Sequence, residues 1–419
     1  MDIQLRCYDK IARLIDKGVD IPNPLTIDLG DEVITDHISG HGVRIYPGCR
    51  IYGKQTVISA GSRLGYEGPV TIDNCQLGPE VELKGGYFNR SVFLEKSNMG
   101  SGAQVREGCI LEEEANGAHC VGIKQTILFP FVTLGSLINF CDCLMAGGTN
   151  RKDHSEVGSS YIHFNFTPDG DKTTASLIGD VPRGVMLNQR AIFLGGQGGL
   201  VGPLRIGYGN VVAANSVLRN DFLEDNKLII GKTYSGKAIS FRPKAYPGIR
   251  RIVENNIIYL ANLAALEQWY IHVRQSFFDS QEFGRLIFAG LLDKLALAKR
   301  ERMKRLQALS EKAKPSFEHK AETNREIAGR NEFGEKFAEI EELFSKDIKD
   351  SLVERYRDDF LTASEKARSK SGTGYVAVIQ GLPADVSAKG TVWLQSIIDA
   401  FCEKTKNIMP SFNMFGKRF

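Results

Sequence analysis

Aliphatic residues recur at every sixth position between Leu200 and Leu218. Leu200, Ile206, Val212 and Leu218 occupy the repeat, and glycine, alanine and polar residues fill the positions between them. An amphipathic helix would place apolar residues three and four apart, and a half-buried strand would alternate every two residues. A period of six with small residues in between is typical of a parallel β-helix made of hexapeptide repeats. The stretch therefore predicts a β-solenoid in which one aliphatic side chain per hexad points inward.

The same six-residue pattern extends over about half of the chain. From about Leu25 to Ile239, aliphatic residues recur near every sixth position and are often followed by glycine. A β-sandwich with glycine turns is the main alternative, but its strands would alternate in polarity every two residues. The predicted organisation is an N-terminal amphipathic helix at residues 1–22, a parallel β-helix at residues 23–240 and an α-helical domain at residues 241–419.

Apolar stripes at helical spacing predict the helices on either side of the solenoid. The predicted helices cover residues 2–17, 249–266, 283–309, 331–345, 348–369 and 391–404. A basic run between Lys299 and Arg305 has acidic residues all around it. We interpret this run as a solvated helix face rather than as a binding site for nucleic acid or phosphate.

Composition places the chain among ordinary globular proteins with an excess of glycine. Hydrophobic residues make up 42% and charged residues 25%, but 43 of the 419 residues are glycine, above the average of about 7%. A net charge of +3 does not argue for a nucleic-acid or membrane partner. The eight cysteines form no C-x-x-C pair, which favours buried, reduced thiols. No signal-peptide core or run of about twenty apolar residues occurs, so we expect a cytoplasmic protein.

Two segments interrupt the repeat and are candidates for chemistry, because binding residues concentrate on loops of a rigid scaffold. They are Met145–Ser155, which is polar and basic, and Pro182–Gly199, which is rich in glycine. The run LGGQGGL at Leu194–Leu200 has two interpretations, a phosphate cradle made of backbone N–H groups or a flexible excursion from the coil. His37 and His41 lie four residues apart, but Gly40 and Gly42 favour a turn over the helix that would pair them, so no metal site is expected.

The region from Glu156 to Asn220 resembles a known family. It is similar to the acetyltransferase domain of the bifunctional N-acetylglucosamine-1-phosphate uridyltransferase/glucosamine-1-phosphate acetyltransferases. The residues that carry the resemblance are Val157-Gly158, Asn165-Phe166, Asp169-Gly170, Lys172-Thr173, Ile178-Gly179-Asp180 and the stretch that begins at Leu200. The glycine-rich nucleotide loop of the family's uridyltransferase half has no counterpart in this chain.

The resemblance implies a left-handed β-helix, a homotrimer and an acetyl-coenzyme A site in the groove between subunits. It assigns donor contacts to Asn165 and Phe166 and to the backbone of Ala213 and Ala214, and sugar-nucleotide contact to Lys172. A count back from Asn165 without gaps places the family's catalytic histidine on Asp142. This departure requires another residue to act as the base.

Acyl transfer from a thioester to an amine or hydroxyl needs a general base, and imidazole suits that task. Two histidines lie in the right region. His154 follows Arg151 and Lys152, whose cations could hold phosphate groups, and Asp153 or Glu156 could orient its ring. His163 lies two residues before Asn165. We take His154 as the base and His163 as the second candidate.

These observations predict an acetyl-coenzyme A-dependent acyltransferase that acts on an amino sugar phosphate or a nucleotide sugar. Its partners would be a small sugar substrate and copies of itself, with no nucleic acid and no membrane. The alternative is a hexapeptide-repeat binding or scaffold protein without catalysis, such as a nucleotide-sugar binder. The displaced histidine and Phe166, where the family has tyrosine, favour that alternative.

Overall fold

The chain folds into a parallel β-solenoid of about 11 turns over residues 28–229, followed by several helices. The computed structural model describes residues 7–165, 167, 169–231, 236, 238, 246, 248–313, 324–368 and 374–416. The prediction of a left-handed parallel β-helix followed by a helical region is confirmed.

Most strands of the solenoid are two to four residues long. In chain order they are β1 (Asp28–Leu29), β2 (Arg44–Ile45), β3 (Arg50–Tyr52), β4 (Val57–Ile58), β5 (Arg63–Leu64), β6 (Val70–Asp73), β7 (Gln76–Leu77), β8 (Glu82–Leu83), β9 (Gly86–Asn89), β10 (Val92–Phe93), β11 (Asn98–Met99), β12 (Ala103–Val105), β13 (Ile110–Leu111), β14 (Asn116–Gly117), β15 (Gly122–Leu128), β16 (Thr133–Leu134), β17 (Asn139–Met145), β18 (Gly148–Asn150), β19 (Asp153–His154), β20 (Glu156–Val157), β21 (Ile162–Phe164), β22 (Ser176–Ile178), β23 (Phe193–Leu194), β24 (Gly199–Val201), β25 (Arg205–Ile206), β26 (Val211–Val212), β27 (Val217–Leu218) and β28 (Leu228–Ile229).

The strands stack in parallel into three faces. Face 1 contains β1, β3, β6, β9, β12, β21, β24 and β27, and face 2 contains β4, β7, β10, β13, β22 and β25. The long strands β15 and β17 bend from face 1 into face 2 and join them in one sheet. Face 3 contains β2, β5, β8, β11, β14, β16, β20, β23, β26 and β28. We name the turns between the faces the 1–2, 2–3 and 3–1 corners.

Each six-residue repeat comprises one strand and one corner of the solenoid. Leu200, Ile206, Val212 and Leu218 lie successively on faces 1, 2, 3 and 1, and each is at most 3% exposed. Every hexad thus sends one aliphatic side chain into the solenoid, where its burial contributes to the free energy of folding. The predicted inward positions are confirmed.

Helices precede, interrupt and follow the solenoid. They are α1 (Tyr8–Lys17), α2 (Val181–Gly184), α3 (Ile249–Trp269), α4 (Gln275–Phe278), α5 (Gly284–Lys312), α6 (Asn324–Glu335), α7 (Phe337–Ser345), α8 (Ser351–Arg368), α9 (Tyr375–Gln380) and α10 (Ala384–Ile408), with a π-helical turn at Tyr270–Arg274. Short 3₁₀ turns lie at Pro24–Thr26, Thr35–His37 and Pro410–Phe412. In the part of the chain that the structure describes, no helix is long and apolar enough to cross a membrane.

The structure corrects three details of the sequence-based expectations. The helix predicted at 331–345 is two helices, because the backbone leaves the helical conformation at Lys336. Helices α2, α4 and α9 were not predicted, since each is too short to show a period. Of the eight cysteines, Cys120 lies exposed at a 3–1 corner, whereas the other seven are buried and all eight are unpaired.

Face 2 is covered by the chain's own helices. Helix α5 packs on β7 and β10, and α3 packs on β22. The outward-facing Val92, Ile110 and Leu144 of this face are therefore fully buried, and one hydrophobic cluster runs from the solenoid interior into the helices. Faces 1 and 3 keep outward positions that are exposed, such as Arg50 and Arg63. The division into three domains remains a prediction.

Candidate functional site

The predicted loop Met145–Ser155 is an antiparallel hairpin made of β18 and β19. Its turn is held by Asn150, whose Oδ1 accepts the backbone N–H groups of Lys152 at 2.8 Å and Asp153 at 3.1 Å. Its base is closed by Ser155, whose Oγ donates to Ala146 O and accepts from Ile192 N, both at 2.8 Å. The hairpin leaves the solenoid at the 2–3 corner, between the end of β17 and the start of β20.

His154 lies on this hairpin with a defined ring orientation. Its Nδ1 is 2.9 Å from Arg151 O, and a carbonyl only accepts, so Nδ1 carries the hydrogen. Nε2 faces Glu156, with 3.6 Å between Nε2 and Oε2. The side chain is 18% exposed, so solvent or a ligand reaches the ring. This arrangement leaves Nε2 as the proton acceptor and places a carboxylate beside the imidazolium that would form.

The neighbouring cations differ in their availability. The Nη1 group of Arg151 donates to Glu114 O, Phe131 O and Thr133 Oγ1 at 2.8–3.1 Å, which fastens the hairpin to the solenoid wall. Lys152 is exposed at the turn. Of the two predicted phosphate-binding cations, Lys152 is therefore the one that is presented to solvent.

His163 points into the solenoid from β21 and is 1% exposed. Its Nδ1 is 2.6 Å from Cys141 O and its Nε2 is 2.8 Å from Ser176 Oγ. Burial lowers the pKa of the imidazole to about 4. Both ring nitrogens are thus engaged within the wall, which favours a structural role for this histidine.

Asn165 begins a loop at the 1–2 corner, between β21 on face 1 and β22 on face 2. Phe166, the second predicted donor contact, lies outside the described residues. The loop is tied internally by Asp171, whose carboxylate accepts from Thr167 Oγ1 at 2.7 Å and Thr173 Oγ1 at 2.6 Å. Asn165 itself is half-buried.

Three helical side chains hold the backbone of the same loop. Arg302 Nη1 donates to Lys172 O at 3.1 Å, Lys312 Nζ donates to Asp169 O at 2.7 Å and Asn256 Nδ2 donates to Thr173 O at 3.0 Å. The predicted sugar contact Lys172 therefore lies where α5 crosses the 1–2 corner, with its backbone in a left-handed conformation at φ 55°.

Asp142, on which the count from Asn165 places the family's histidine, is buried beneath the same helix. Arg302 Nη2 lies 2.7 Å from Asp142 Oδ1, and the two side chains are 3% and 7% exposed. The interpretation of the basic run as a solvated face is wrong for Arg302, because its guanidinium closes the 1–2 corner. Lys299 also pairs with Glu267, at 2.5 Å.

Ala213 and Ala214 lie at the 3–1 corner after β26, where Ala213 N donates to Ile229 O at 2.9 Å. The run LGGQGGL forms the 3–1 corner between β23 and β24, so its interpretation as a flexible excursion from the coil is wrong. The interpretation as a phosphate cradle stays a prediction. Leu194 points inward on β23, and a Cβ on Gly195 would lie 2.4 Å from the backbone nitrogen of Ala214. Gly195 is required here because the neighbouring coils touch.

One chain does not bring the predicted site residues together. His154 lies at the 2–3 corner, Asn165 and Lys172 at the 1–2 corner, and Ala213 and Ala214 at the 3–1 corner. A site that uses all of them has to form between copies of the chain.

Sequence reasoning missed a buried ionic cluster between the solenoid and the helices. Arg274, on the π-helical turn, contacts Glu112 at 3.4 Å and Glu113 more closely, and its guanidinium lies 3.7 Å from the Tyr375 ring centroid. Tyr270 donates to Glu112. Burial raises the pKa of Glu112 to about 7 although Arg274 lowers it. The signal in the sequence that could have indicated this cluster is a run of acidic residues between apolar strands of the solenoid. Within the described ranges, no group of three or more His, Cys, Asp or Glu could hold a metal ion.

Comparisons with known proteins agree with the solenoid. The bifunctional protein GlmU of Thermotoga maritima is 28% identical over 227 residues, which cover 53% of this chain and 44% of that protein. About half of this chain is similar to GlmU. The GlmU of Carboxydothermus hydrogenoformans is 27% identical over 215 residues, 51% of this chain and 43% of the relative. That of Acinetobacter baumannii is 27% identical over 231 residues, 51% of this chain and 42% of the relative.

The similarity to GlmU confirms the resemblance that the sequence predicted, together with its hexapeptide-repeat solenoid. The chain spans less than half the length of these GlmU relatives. No model of a protein family matches it.

Proposed function

We propose that the chain is a hexapeptide-repeat acyltransferase that transfers an acetyl group from acetyl-coenzyme A to an amino sugar phosphate or a nucleotide sugar. The observation that carries the proposal is the orientation of His154. Its Nδ1–H donates to Arg151 O, so Nε2 is free to take a proton. The similarity of half of the chain to GlmU supports the transferase class.

In this reaction His154 acts as the general base. Nε2 takes the proton as the acceptor's amine or hydroxyl attacks the thioester carbonyl, and Glu156 stabilises the imidazolium at 3.6 Å. A carbon–nitrogen or carbon–oxygen bond forms, the carbon–sulfur bond breaks, and the proton passes to the leaving thiolate. Lys152 would bind a phosphate group of the acceptor.

The donor would lie between copies of the chain, in a homotrimer. Asn165, Ala213 and Ala214 belong to different corners, so one copy supplies only part of their set. Face 3 offers a surface for the contact, since Phe193, Val211 and Leu228 lie in register on neighbouring coils. They are 40%, 43% and 67% exposed, and apolar ladders of this kind mark interaction sites.

Replacing Val211 with glutamate is expected to convert the trimer into monomers, because it places a charge in the centre of the apolar ladder. Light scattering after size exclusion measures the mass. The matched control is Gln104→Glu, which adds the same charge at an exposed position on face 1. A wild-type chain that is monomeric at micromolar concentration, or a Val211→Glu variant that keeps the wild-type mass, contradicts the proposed assembly.

The activity is tested with the full chain, acetyl-coenzyme A, and glucosamine 1-phosphate or uridine diphosphate glucosamine as acceptors. Turnover is followed by thiol release. A thermal-shift series adds the binding data, since a ligand at a hundred times its dissociation constant stabilises by about 2.7 kcal/mol. We expect acetyl-coenzyme A to stabilise the chain and thiol release to require an acceptor. Absence of both effects excludes the proposed reaction.

A second candidate is a non-catalytic nucleotide-sugar binder. The Asp142–Arg302 pair favours it, because the position of the family's histidine is closed by the chain's own helix. Stabilisation by nucleotide sugars without any effect of acetyl-coenzyme A would support this alternative. A cytoplasmic location and the absence of nucleic-acid and membrane partners remain predictions.

A further inference from the structure

A cavity of about 440 Å³ lies in the helical part of the molecule. Its walls come from α3, the π-helical turn, α5, residues 344–349, α8 and α10, and no solenoid residue lines it. This volume falls within the range of small-molecule sites, about 300–1,000 Å³. The candidate acyltransferase residues lie elsewhere, so the cavity is a separate feature of the molecule.

The π-helical turn shapes one wall of this cavity. Such turns are rare and frequently occur at functional sites. The turn places His272 in the lining, with its ring edge towards Trp393 at 6.1 Å between centroids. Nε2 of His272 lies 3.2 Å from Gln268 Oε1, and Gln268 also lines the cavity. The cavity thus combines an aromatic wall with imidazole and amide groups.

Cationic side chains outnumber carboxylates in the lining of the cavity by four to three. Those in the lining are Lys299, Lys346, Lys349 and Arg357. Arg357 pairs with Asp358 at 2.9 Å and Lys346 pairs with Glu342 at 2.5 Å. Both carboxylates are about two-thirds exposed and neither lines the cavity.

Carboxylates supply the opposite charge at fewer places. Glu267 accepts from Lys299 Nζ at 2.5 Å, and Asp347 accepts from Gln268 Nε2 at 3.3 Å. With Glu354 they make three carboxylates against four cations in the lining. Such groups accept hydroxyl hydrogens, so the lining suits a molecule with an anionic end and a hydroxylated body.

We propose that this cavity binds a small phosphorylated molecule, with Lys299, Lys349 and Arg357 as the anion-binding side chains. A guanidinium donates to phosphate oxygens in a bidentate fork, and ammonium groups add point charges. The three groups come from α5, from the segment after α7 and from α8, so the anion would lie between elements that a ligand holds together. The site does not depend on acetyl transfer.

Calorimetric titration of the full chain tests the site with two probes, inorganic pyrophosphate and glucose 1-phosphate. We expect at least one probe to bind, and Arg357→Gln and Lys349→Gln each to weaken that binding about tenfold or more, because each removes a charged hydrogen bond. The control is Lys389→Gln, an exposed lysine of α10 outside the lining.

The proposal is overturned if neither probe binds the wild-type chain, or if both cavity variants bind as tightly as the Lys389→Gln control. Thiol release from acetyl-coenzyme A is measured on the same preparations. Loss of probe binding with intact turnover concerns the cavity alone, and loss of turnover with intact probe binding concerns only the acyltransferase proposal.

Discussion

Replacement of Arg274 by methionine is expected to lower the free energy of unfolding by about 3–5 kcal/mol, because it leaves buried carboxylates without a cation. Arg274 is 1% exposed and is the cationic partner of Glu112 and Glu113 in the wall beneath it. Methionine keeps much of the apolar volume, so the loss reports the charge rather than a cavity. Urea unfolding of the full chain measures the effect.

The size of this defect should depend on pH. Glu112 has a pKa of about 7 in the folded chain, above its ordinary value of 4.5. Removal of Arg274 raises this pKa further, since the charge that lowers it is gone. When the pKa of a carboxyl group is higher in the folded chain than in the unfolded chain, its contribution to stability is fully present below the unfolded-state pKa. That contribution is lost as pH rises through the folded-state pKa. The variant should therefore be less stable relative to wild type at pH 8 than at pH 6.

Two further variants separate the causes of the Arg274 effect. Glu112→Gln added to Arg274→Met removes the stranded charge and should recover part of the stability and reduce the pH dependence. Arg285→Met changes an exposed arginine of α5 and should leave stability within about 0.5 kcal/mol. An Arg274→Met variant as stable as the Arg285→Met control would show that the cluster does not stabilise the contact between solenoid and helices.

Replacement of His154 by alanine is expected to lower the rate of acetyl transfer by about 10²–10⁴-fold, the usual contribution of a positioned general base. Nε2 is the only ring atom left for the acceptor's proton, since Nδ1 donates to Arg151 O. The ring is partly exposed at a hairpin, so the unfolding midpoint in urea should change little. The measurement is kcat for thiol release in the presence of acceptor.

His41→Ala is the matched control, an exposed histidine near the start of the solenoid. Glu156→Gln should have a smaller effect than His154→Ala, because it removes the charge that faces the imidazolium but leaves the base in place. Turnover of His154→Ala equal to that of the control would remove His154 from the mechanism and leave the binding function as the better proposal.

The period of six predicted the fold better than it predicted the candidate functional site. It located the inward side chains of the solenoid because each hexad is a local unit whose burial depends only on neighbouring coils. Site geometry depends on corners and excursions, where the period is broken. The sequence placed His154 and Asn165 near each other in number, yet one leaves the solenoid at the 2–3 corner and the other at the 1–2 corner.

The apolar outward positions of face 2 show the same limit. Val92, Ile110 and Leu144 are as apolar as the inward residues of their strands. Two consecutive apolar residues in a strand indicate, from the sequence alone, that this face is covered. They do not indicate which helix covers it. The ion pairs Arg302–Asp142 and Arg274–Glu112 join residues 160 and 162 positions apart, and no local pattern predicts such pairs.

The sequence by itself determined the solenoid, its inward residues and most of the helices, because periodic burial is a local property of the chain. Only the tertiary structure decided that helices α3 and α5 cover face 2, that Arg302 closes the corner beside Asp142, and that His163 is sealed in the wall whereas His154 is presented on a hairpin. These features depend on packing between side chains that are far apart in the sequence, so no local pattern in the sequence predicts them.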